Sequence, residues 1–567
     1  MLAQTRHVDR GAGADGAANL PPPLPPPLPC VVWGPPGTGK TSVLVEQVLQ
    51  LLLLHSDASH PHGTSARLLV CAPSNGAADV VLQRLVEHGN STRFREAMGW
   101  GARAAGADGG GAAHDGGGAG HAAHGWVHRL NSSRRSLESF PTQLHRHAHI
   151  VDGAFGYMRA AEYADVAVLV STCVCALDLV ACGAVALAPT GVPRGHFTHV
   201  LIDEASQGLE PELLIPIVLG RPPALGGCVV VLVGDHKQLG PIVRSAACRR
   251  SRHGLDQSLL ARLVGMYHAD GGRGVEPARP LERVCTMAEQ CTMLVRNYRS
   301  HAALLEVPSA LFYDGALRCA ADEADVRALE GWRELRRADG EARPAPLLFY
   351  GLVGQQLHEL DSPSFFNPTE AAMLVSLVRK LLNGGLGLST DDIGVIAVYR
   401  KQVLKLRRLL RELGLGAVRV GSVDDYQGQE EKVILISTVL SHTHGGGGGS
   451  GCGAQTDSLI ASPQRFNVAI TRAKALLIVV GNPHALAADA HWRALLQFAL
   501  SRGTYKGVPF SLDEPAPAAE QHDNEDEAEA MLSRLAESAL GGARAHGCGA
   551  SGDELNLSFD LEWRLMV

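Results

Sequence analysis

Three clusters of polar residues in this 567-residue chain fall directly after short apolar runs, and their types suit phosphate chemistry. The first is Gly34-Pro35-Pro36-Gly37-Thr38-Gly39-Lys40-Thr41, followed by Ser42, with the spacing GxxxxGK[ST]. Its glycines let backbone N–H groups wrap a triphosphate such as ATP. Lys40 then reaches the β- and γ-phosphates, and the Thr41 hydroxyl ligates Mg²⁺. The second cluster is Asp203-Glu204, after residues 198–202. Cleaving a phosphoanhydride needs a carboxylate at a neighbouring strand end to hold Mg²⁺, here Asp203, and a base or water-orienting group, here Glu204. Alone, the pair also reads as acids complementing a helix N-terminus, and the glycine loop upstream decides between the two. In the third cluster, "GDHKQLGP" from Gly234, the amide of Gln238 suits a sensor of the γ-phosphate, although alone the segment would pass as a turn.

Such residues must be held at strand ends. Runs of apolar and β-branched residues begin at Cys30, Arg67, Val166, Thr198, Cys228, Ile393, Val418, Lys432 and Ala475, each followed by a polar turn and an amphipathic helical stretch. Continuously apolar strands alternating with helices predict an α/β fold with parallel sheets covered on both faces, arranged as two sheets. In such sheets ligands sit at the carboxyl ends of strands, where these polar residues fall.

Composition narrows the class. Apolar residues make up 46% and charged residues 19%, as in ordinary globular chains, while 64 glycines imply flexible filler. The filler is placed in "LPPPLPPPLP" from Leu20, in residues 101–125 and in "HGGGGGSGCG" from His444, read as disordered termini and Gly-rich loops. Twelve cysteines contain no CxxC pair, which argues against zinc. Residues 166–189 are the most membrane-like, but Asp178 interrupts them, and a buried strand with a short helix is expected there. The formal charge of −7 includes eight acids between Asp513 and Glu529 with no Lys or Arg among them; without them it is +1, which leaves room for a local basic groove.

The order and wording of the segments resemble the superfamily 1 helicases of the up-frameshift type. The resemblance runs over residues 29–510 through "GPPGTGKT", "APSNGAADVVLQRL", "VSTC", "DEASQ", "GDHKQLGP", "LVRNYRSH", "GSVDDYQGQE" and "RFNVAITRAKALLIVVGN". Within that group "SPSFFNPTEAA", "YRKQV" and "GTYKGVPF" are similar to the Moloney leukaemia virus 10 and silencing-defective (Armitage) branch of RNA helicases. The resemblance implies two RecA-like P-loop NTPase domains, 29–275 and 284–510, between a disordered Pro/Gly-rich N-terminus at 1–28 and an acidic, mostly disordered tail at 511–567. By the same resemblance Arg299 and Arg472 are arginine fingers, Tyr298 stacks on adenine and Glu430 binds ribose.

Single-stranded RNA is implied along Ser74, Asn75, Ser171, Thr172, Tyr399, Gln402 and Ser422. Their hydroxyls and amides suit backbone contact without base readout, and ordinary loop capping is the rival reading for each. The activity implied is ATP-driven movement on RNA, 5′ to 3′, in RNA silencing or surveillance. It belongs to a cytoplasmic monomer, in P-bodies or ribonucleoprotein granules or also in the nucleus, with RNA-silencing proteins as partners and no membrane. A DNA or DNA–RNA hybrid helicase, and a nucleotide-gated RNA clamp with little turnover, stand as alternatives. The family's upstream adenine-clasping glutamine and RNA-gripping barrel have no counterpart in residues 1–33, and Val439-Leu440 stands where Val-Arg is usual.

Overall fold

The computed structural model describes residues 28–512 except 57–65, 99–125, 165, 186–194, 223–226, 244, 246–247, 249–253, 270–289, 336–344, 360–361, 363 and 442–461. Residues 1–27 and 513–567 of the termini expected to be disordered, and the Gly-rich filler at 101–125 and 444–453, lie outside the described residues.

Two parallel sheets organise the chain. The first comprises β1 (Cys30–Trp33), β2 (Leu68–Ala72), β3 (Val127–Leu130), β4 (Val168–Thr172), β5 (His199–Ile202), β6 (Val229–Gly234) and β7 (Cys291–Met293), in the order β3-β4-β2-β5-β6-β1-β7. The second comprises β8 (Leu347–Gly351), β9 (Ile393–Ala397), β10 (Arg419–Gly421), β11 (Glu431–Ser437), β12 (Ala473–Gly481) and β13 (Tyr505–Gly507), in the order β10-β9-β11-β12-β8-β13. All nine runs expected from the sequence are strands, and the run after Val166 ends in a short helix at Asp178–Ala181.

Continuous apolar character follows from burial on both faces. In β2, Leu68, Val70 and Ala72 enter one core layer while Leu69 and Cys71 enter the other. In β11, Val433 and Leu435 face one layer, Ile434 and Ile436 the opposite one. Truncating Leu68, Leu69, Ile434, Leu435 or Ile436 to alanine would cost about 2–5 kcal/mol. Helices α1 (Lys40–Ser56) and α2 (Asn75–Gly89) cover the first sheet, and α3 (Pro368–Leu382) and α4 (Arg400–Glu412) the second.

The boundary between the lobes differs from the expected 275/284. Residues 291–293 belong to the first sheet, because β7 pairs with β1 from Val31↔Cys291 to Trp33↔Met293. The three residues Cys291, Thr292 and Met293, a run too short to stand out in sequence, gain a register from the neighbouring phosphate-loop strand. The second lobe begins after them, where the helix Ala302–Phe312 sends Leu304 and Val307 into its core.

Candidate nucleotide site

The glycine loop leaves β1 at Trp33 and enters α1 at Lys40, so free N–H groups of a helix N-terminus face the cleft. Gly37 (φ +76°) and Gly39 (φ +79°) take left-handed conformations that favour glycine. A Cβ on Gly37 would lie 2.5 Å from Arg299 Cβ. The loop is closed on itself: Thr38 Oγ1 donates to Pro35 O (2.7 Å), and Lys40 Nζ donates to Gly34 O (2.9 Å) and Pro35 O (3.1 Å). Ser42 lies in the first turn of α1 and its hydroxyl accepts from Arg84.

Thr41 Oγ1 donates to Asp203 Oδ2 at 2.8 Å, which joins the two expected cation ligands. Burial first, and then the neighbouring Glu204, push the Asp203 carboxyl up to about 6. A divalent cation at this pair would remove that cost, so the donor set fits Mg²⁺. Glu204 has φ +51°, a strained conformation for a residue with a Cβ. Hydrogen bonds on both sides hold it: Glu204 N donates to Asp203 Oδ1 (3.0 Å) and Ala205 N to Val233 O (2.8 Å). Gln207 Nε2 donates to its Oε2 at 2.7 Å.

The second lobe brings its arginines to this cleft. Arg472 is 1% exposed; its Nη2 donates to Gln238 Oε1 (3.1 Å), its Nε to Val468 O (2.9 Å) and its Nη1 to Gln429 O (3.3 Å). Burial, reinforced by nearby Arg299, brings its pKa down to about 9. Arg299 donates through Nη1 to Thr471 O (3.3 Å) and pairs through Nη2 with Glu430, while its buried Nε has no partner. Burial lowers its pKa as well. Lys474 Nζ lies 3.0 Å from Glu430 Oε1, and the two cations hold Glu430 below the usual carboxylate range although burial pushes it up. Four cations, Lys40, Arg299, Arg472 and Lys474, thus meet the three carboxylates of Asp203, Glu204 and Glu430. Buried guanidiniums with lowered pKa and an unpartnered N–H form a receptor for a polyanion. Glu430, expected at a ribose, is here engaged by Arg299 and Lys474. Tyr298 is 59% exposed, with its ring free to stack, and its N–H donates to Gly37 O (2.8 Å).

The residues expected along a nucleic acid divide. Ser74 caps α2, accepting from Ala77 N (3.2 Å). Asn75 Oδ1 accepts from Arg129 Nη2 (3.0 Å), and Arg129 and Arg135 share the buried Asp79 at 3.1 and 2.6 Å. Thr172 accepts from Cys175 N, Ser422 exchanges hydrogen bonds with Asp425, and the half-buried Tyr399 meets the Phe365 ring edge-on at 5.4 Å. Ser171 and Gln402 are sealed inside, which corrects their expected surface role. Gln402 Oε1 accepts from Asn367 N (3.0 Å), and its Nε2 donates to Asn367 O (3.2 Å) and Ser437 Oγ (3.0 Å). Its two ends are used up by the backbone of the neighbouring helix start and by the end of β11.

Other residues were missed. Glu370, fully buried, accepts from Ser437 Oγ (2.6 Å) and Val439 N (2.9 Å), and burial pushes it up to about 7. It holds Val439 at φ +66°, a strained position for a β-branched residue. The signal was legible: Glu370 shares the core-facing stripe of α3 with Leu374, Leu377 and Leu381. Asn297, whose Nδ2 donates to Pro36 O (2.7 Å), and Asn467, whose Nδ2 donates to Lys237 O (2.9 Å), lie inside quoted motifs. Their roles required knowing that the lobes meet.

Two family models, each described as an AAA domain, match residues 22–98 with 131–246 and residues 278–484. Human "RNA helicase Mov10l1" is 37% identical over 493 residues, 84% of this chain and 34% of that protein. The fruit-fly "Probable RNA helicase armi" is 31% identical over 504 residues, 84% of this chain and 37% of that protein. The fruit-fly "Regulator of nonsense transcripts 1 homolog" is 30% identical over 481 residues, 82% and 34% respectively. The chain spans about a third of the length of these relatives.

Proposed function

Because the chain belongs to the up-frameshift-like superfamily 1 helicases, with Mov10l1 and Armitage proteins among its relatives, we propose that it is an ATP-dependent RNA helicase. It hydrolyses ATP to move on single-stranded RNA, 5′ to 3′, and acts in RNA silencing or surveillance together with silencing proteins. The observation that carries this reading is the contact of Arg472 with Gln238 at 3.1 Å, which puts a guanidinium of the second lobe beside the phosphate-loop chemistry of the first.

In this reading Thr41 and Asp203 hold Mg²⁺, which supplies charge neutralisation on the phosphate oxygens. Lys40 leaves the carbonyls of its own loop to bind the β- and γ-phosphates. Glu204 orients the attacking water and accepts its proton. Arg299 and Arg472 neutralise charge on the transferring group, a contribution worth about 10³–10⁵ in rate. Tyr298 stacks on the base, and Glu430 turns from Arg299 to the ribose. The small polar groups of Ser74, Asn75, Thr172, Tyr399 and Ser422 serve the RNA backbone.

Phosphate release is the test, measured with no nucleic acid, with single-stranded RNA and with matched DNA. Stimulation by RNA that is abolished in Glu204→Gln supports the reading. Stimulation by DNA alone would replace RNA as the substrate, and release unchanged in Glu204→Gln would make the protein a clamp.

A further inference from the structure

One buried side chain crosses from lobe to lobe without touching any expected ligand. Tyr313 follows the helix Ala302–Phe312 of the second lobe, yet its ring is 1% exposed and sits in the first lobe's core with Leu259 and Leu260. The preceding Phe312 stacks on His491 of the second lobe, with ring centroids 5.4 Å apart and planes 3° from parallel. Phe312 packs against the cores of both lobes, while Tyr313 is planted in the first.

The Tyr313 hydroxyl lies at the centre of a closed set of hydrogen bonds. It donates to Asp235 Oδ2 (2.8 Å) and accepts from Asn467 Nδ2 (2.7 Å). Asp235 Oδ2 also accepts from Gln238 Nε2 (2.5 Å), and its Oδ1 accepts from Lys237 N (3.0 Å). With its N–H₂ end held by Asp235, Gln238 can only turn its carbonyl to Arg472 Nη2. Asn467 stands five residues before Arg472 and opens the last turns of the helix Pro463–Ile470 that leads to it. Burial, and then Asp235, push the phenol well above its ordinary range, so it remains a donor at any working pH.

We propose that Tyr313 is a positioning residue that couples the γ-phosphate sensor Gln238 of the first lobe to the helix Pro463–Ile470 that leads to Arg472 in the second, through Asp235 on one side and Asn467 on the other. This rests on the reading of the site as an ATP-hydrolysing cleft. When Arg472 leaves Gln238 for the γ-phosphate, the hydroxyl keeps the amide aimed and the last turn of the helix in place. The sensor and the finger then move as one unit.

The full chain carrying Tyr313→Phe keeps the ring and its packing and loses only the hydroxyl. The expected result is about a tenfold fall in RNA-stimulated kcat, equal to about 1.4 kcal/mol, with KM for ATP and the melting temperature nearly unchanged. Affinity for ADP should hold, while affinity for ADP with beryllium fluoride, a γ-phosphate mimic, falls about tenfold in parallel with kcat. Combining Tyr313→Phe with Asn467→Ala should cost less than the two effects added. The proposal is overturned if Tyr313→Phe keeps both kcat and beryllium fluoride affinity within twofold of the unaltered chain. It is also overturned if ADP affinity and melting temperature fall together with kcat, which would mark a packing role. Should the unaltered chain hydrolyse no ATP under any condition, the reading of the cleft fails, and the beryllium fluoride comparison alone decides the coupling.

Discussion

Replacing Gln402 with methionine separates a structural amide from an RNA contact. Gln402 is 0% exposed, and its amide makes three hydrogen bonds, two with the backbone of Asn367 and one with Ser437 Oγ. Methionine fills nearly the same volume and makes none of them. Ser437 Oγ keeps its bond to Glu370 at 2.6 Å, so it loses little. The Asn367 C=O keeps its bond from Ala371 N at 3.1 Å, so the loss falls on the Asn367 N–H, in a residue 1% exposed. At about 1–3 kcal/mol for one orphaned buried group together with the lost bonds to Asn367 O and Ser437, and with some return from the added apolar burial, the loss is about 2 kcal/mol. For a lobe of this size that corresponds to a melting transition lowered by about 4–8 °C.

Calorimetry of the full chain reads the transition, with hydrogen exchange over residues 367–382 and 400–412 assigning it to the second lobe. RNA affinity measured well below the transition should stay within about twofold of the unaltered chain, since a buried amide makes no direct contact. An unchanged transition together with RNA affinity weakened more than tenfold would show that the side chain reaches RNA, and the burial argument would be wrong.

Three further outcomes are expected. Arg472→Ala should lower kcat for ATP by about 10³–10⁵ while KM changes far less, as read by phosphate release. Gly37→Ala places a Cβ 2.5 Å from Arg299 Cβ at a φ of +76°, so titration calorimetry should find nucleotide affinity reduced at least about tenfold. The Asp203 carboxyl, raised to about 6, makes the nucleotide-free protein more stable as pH falls through 6, because the charged form carries the burial penalty above that pH. Protons then compete with the cation, so Mg²⁺-dependent nucleotide affinity measured between pH 7 and 5 should decline below pH 6, approaching about tenfold per unit.

Much of the architecture was legible because strands buried on both faces write themselves as unbroken apolar runs, as in "RLLVC" and "KVILISTV". Of the four sheet strands that escaped notice, Leu347–Gly351 carries that signature and the other three lack it. Val127–Leu130 carries His128 and Arg129, which are buried only because Asp79 and neighbouring groups receive them. Tyr505–Gly507 and Cys291–Met293 are three-residue edge strands whose register comes from β8 and β1. In the cleft, Lys40, Thr41, Asp203, Glu204 and Gln238 announced themselves by type and spacing, since phosphate chemistry restricts which side chains can serve. Gln402 did not, because an amide at a strand end suits a phosphate oxygen and a buried backbone carbonyl equally well. Only the packing of α3 against α4 distinguishes these roles.

The short stretch from Leu294 to His301 has a mechanical meaning. Its first half is stitched to the phosphate loop, through Leu294 N on Trp33 O, Asn297 Nδ2 on Pro36 O and Tyr298 N on Gly37 O. Its last two residues are stitched to the opposite lobe, through Ser300 Oγ on Ala473 O and His301 N on Lys474 O. Arg299 stands at the seam, its backbone N–H on Asn297 Oδ1 and its guanidinium on Thr471 O and Glu430. In the proposed reaction Arg299 keeps its tether to the phosphate loop through its neighbours, while Arg472, held by Val468 O and Gln429 O of its own lobe, parts from Gln238 when the lobes separate. The two fingers are then unequal instruments, one a fixed post and the other a moving latch.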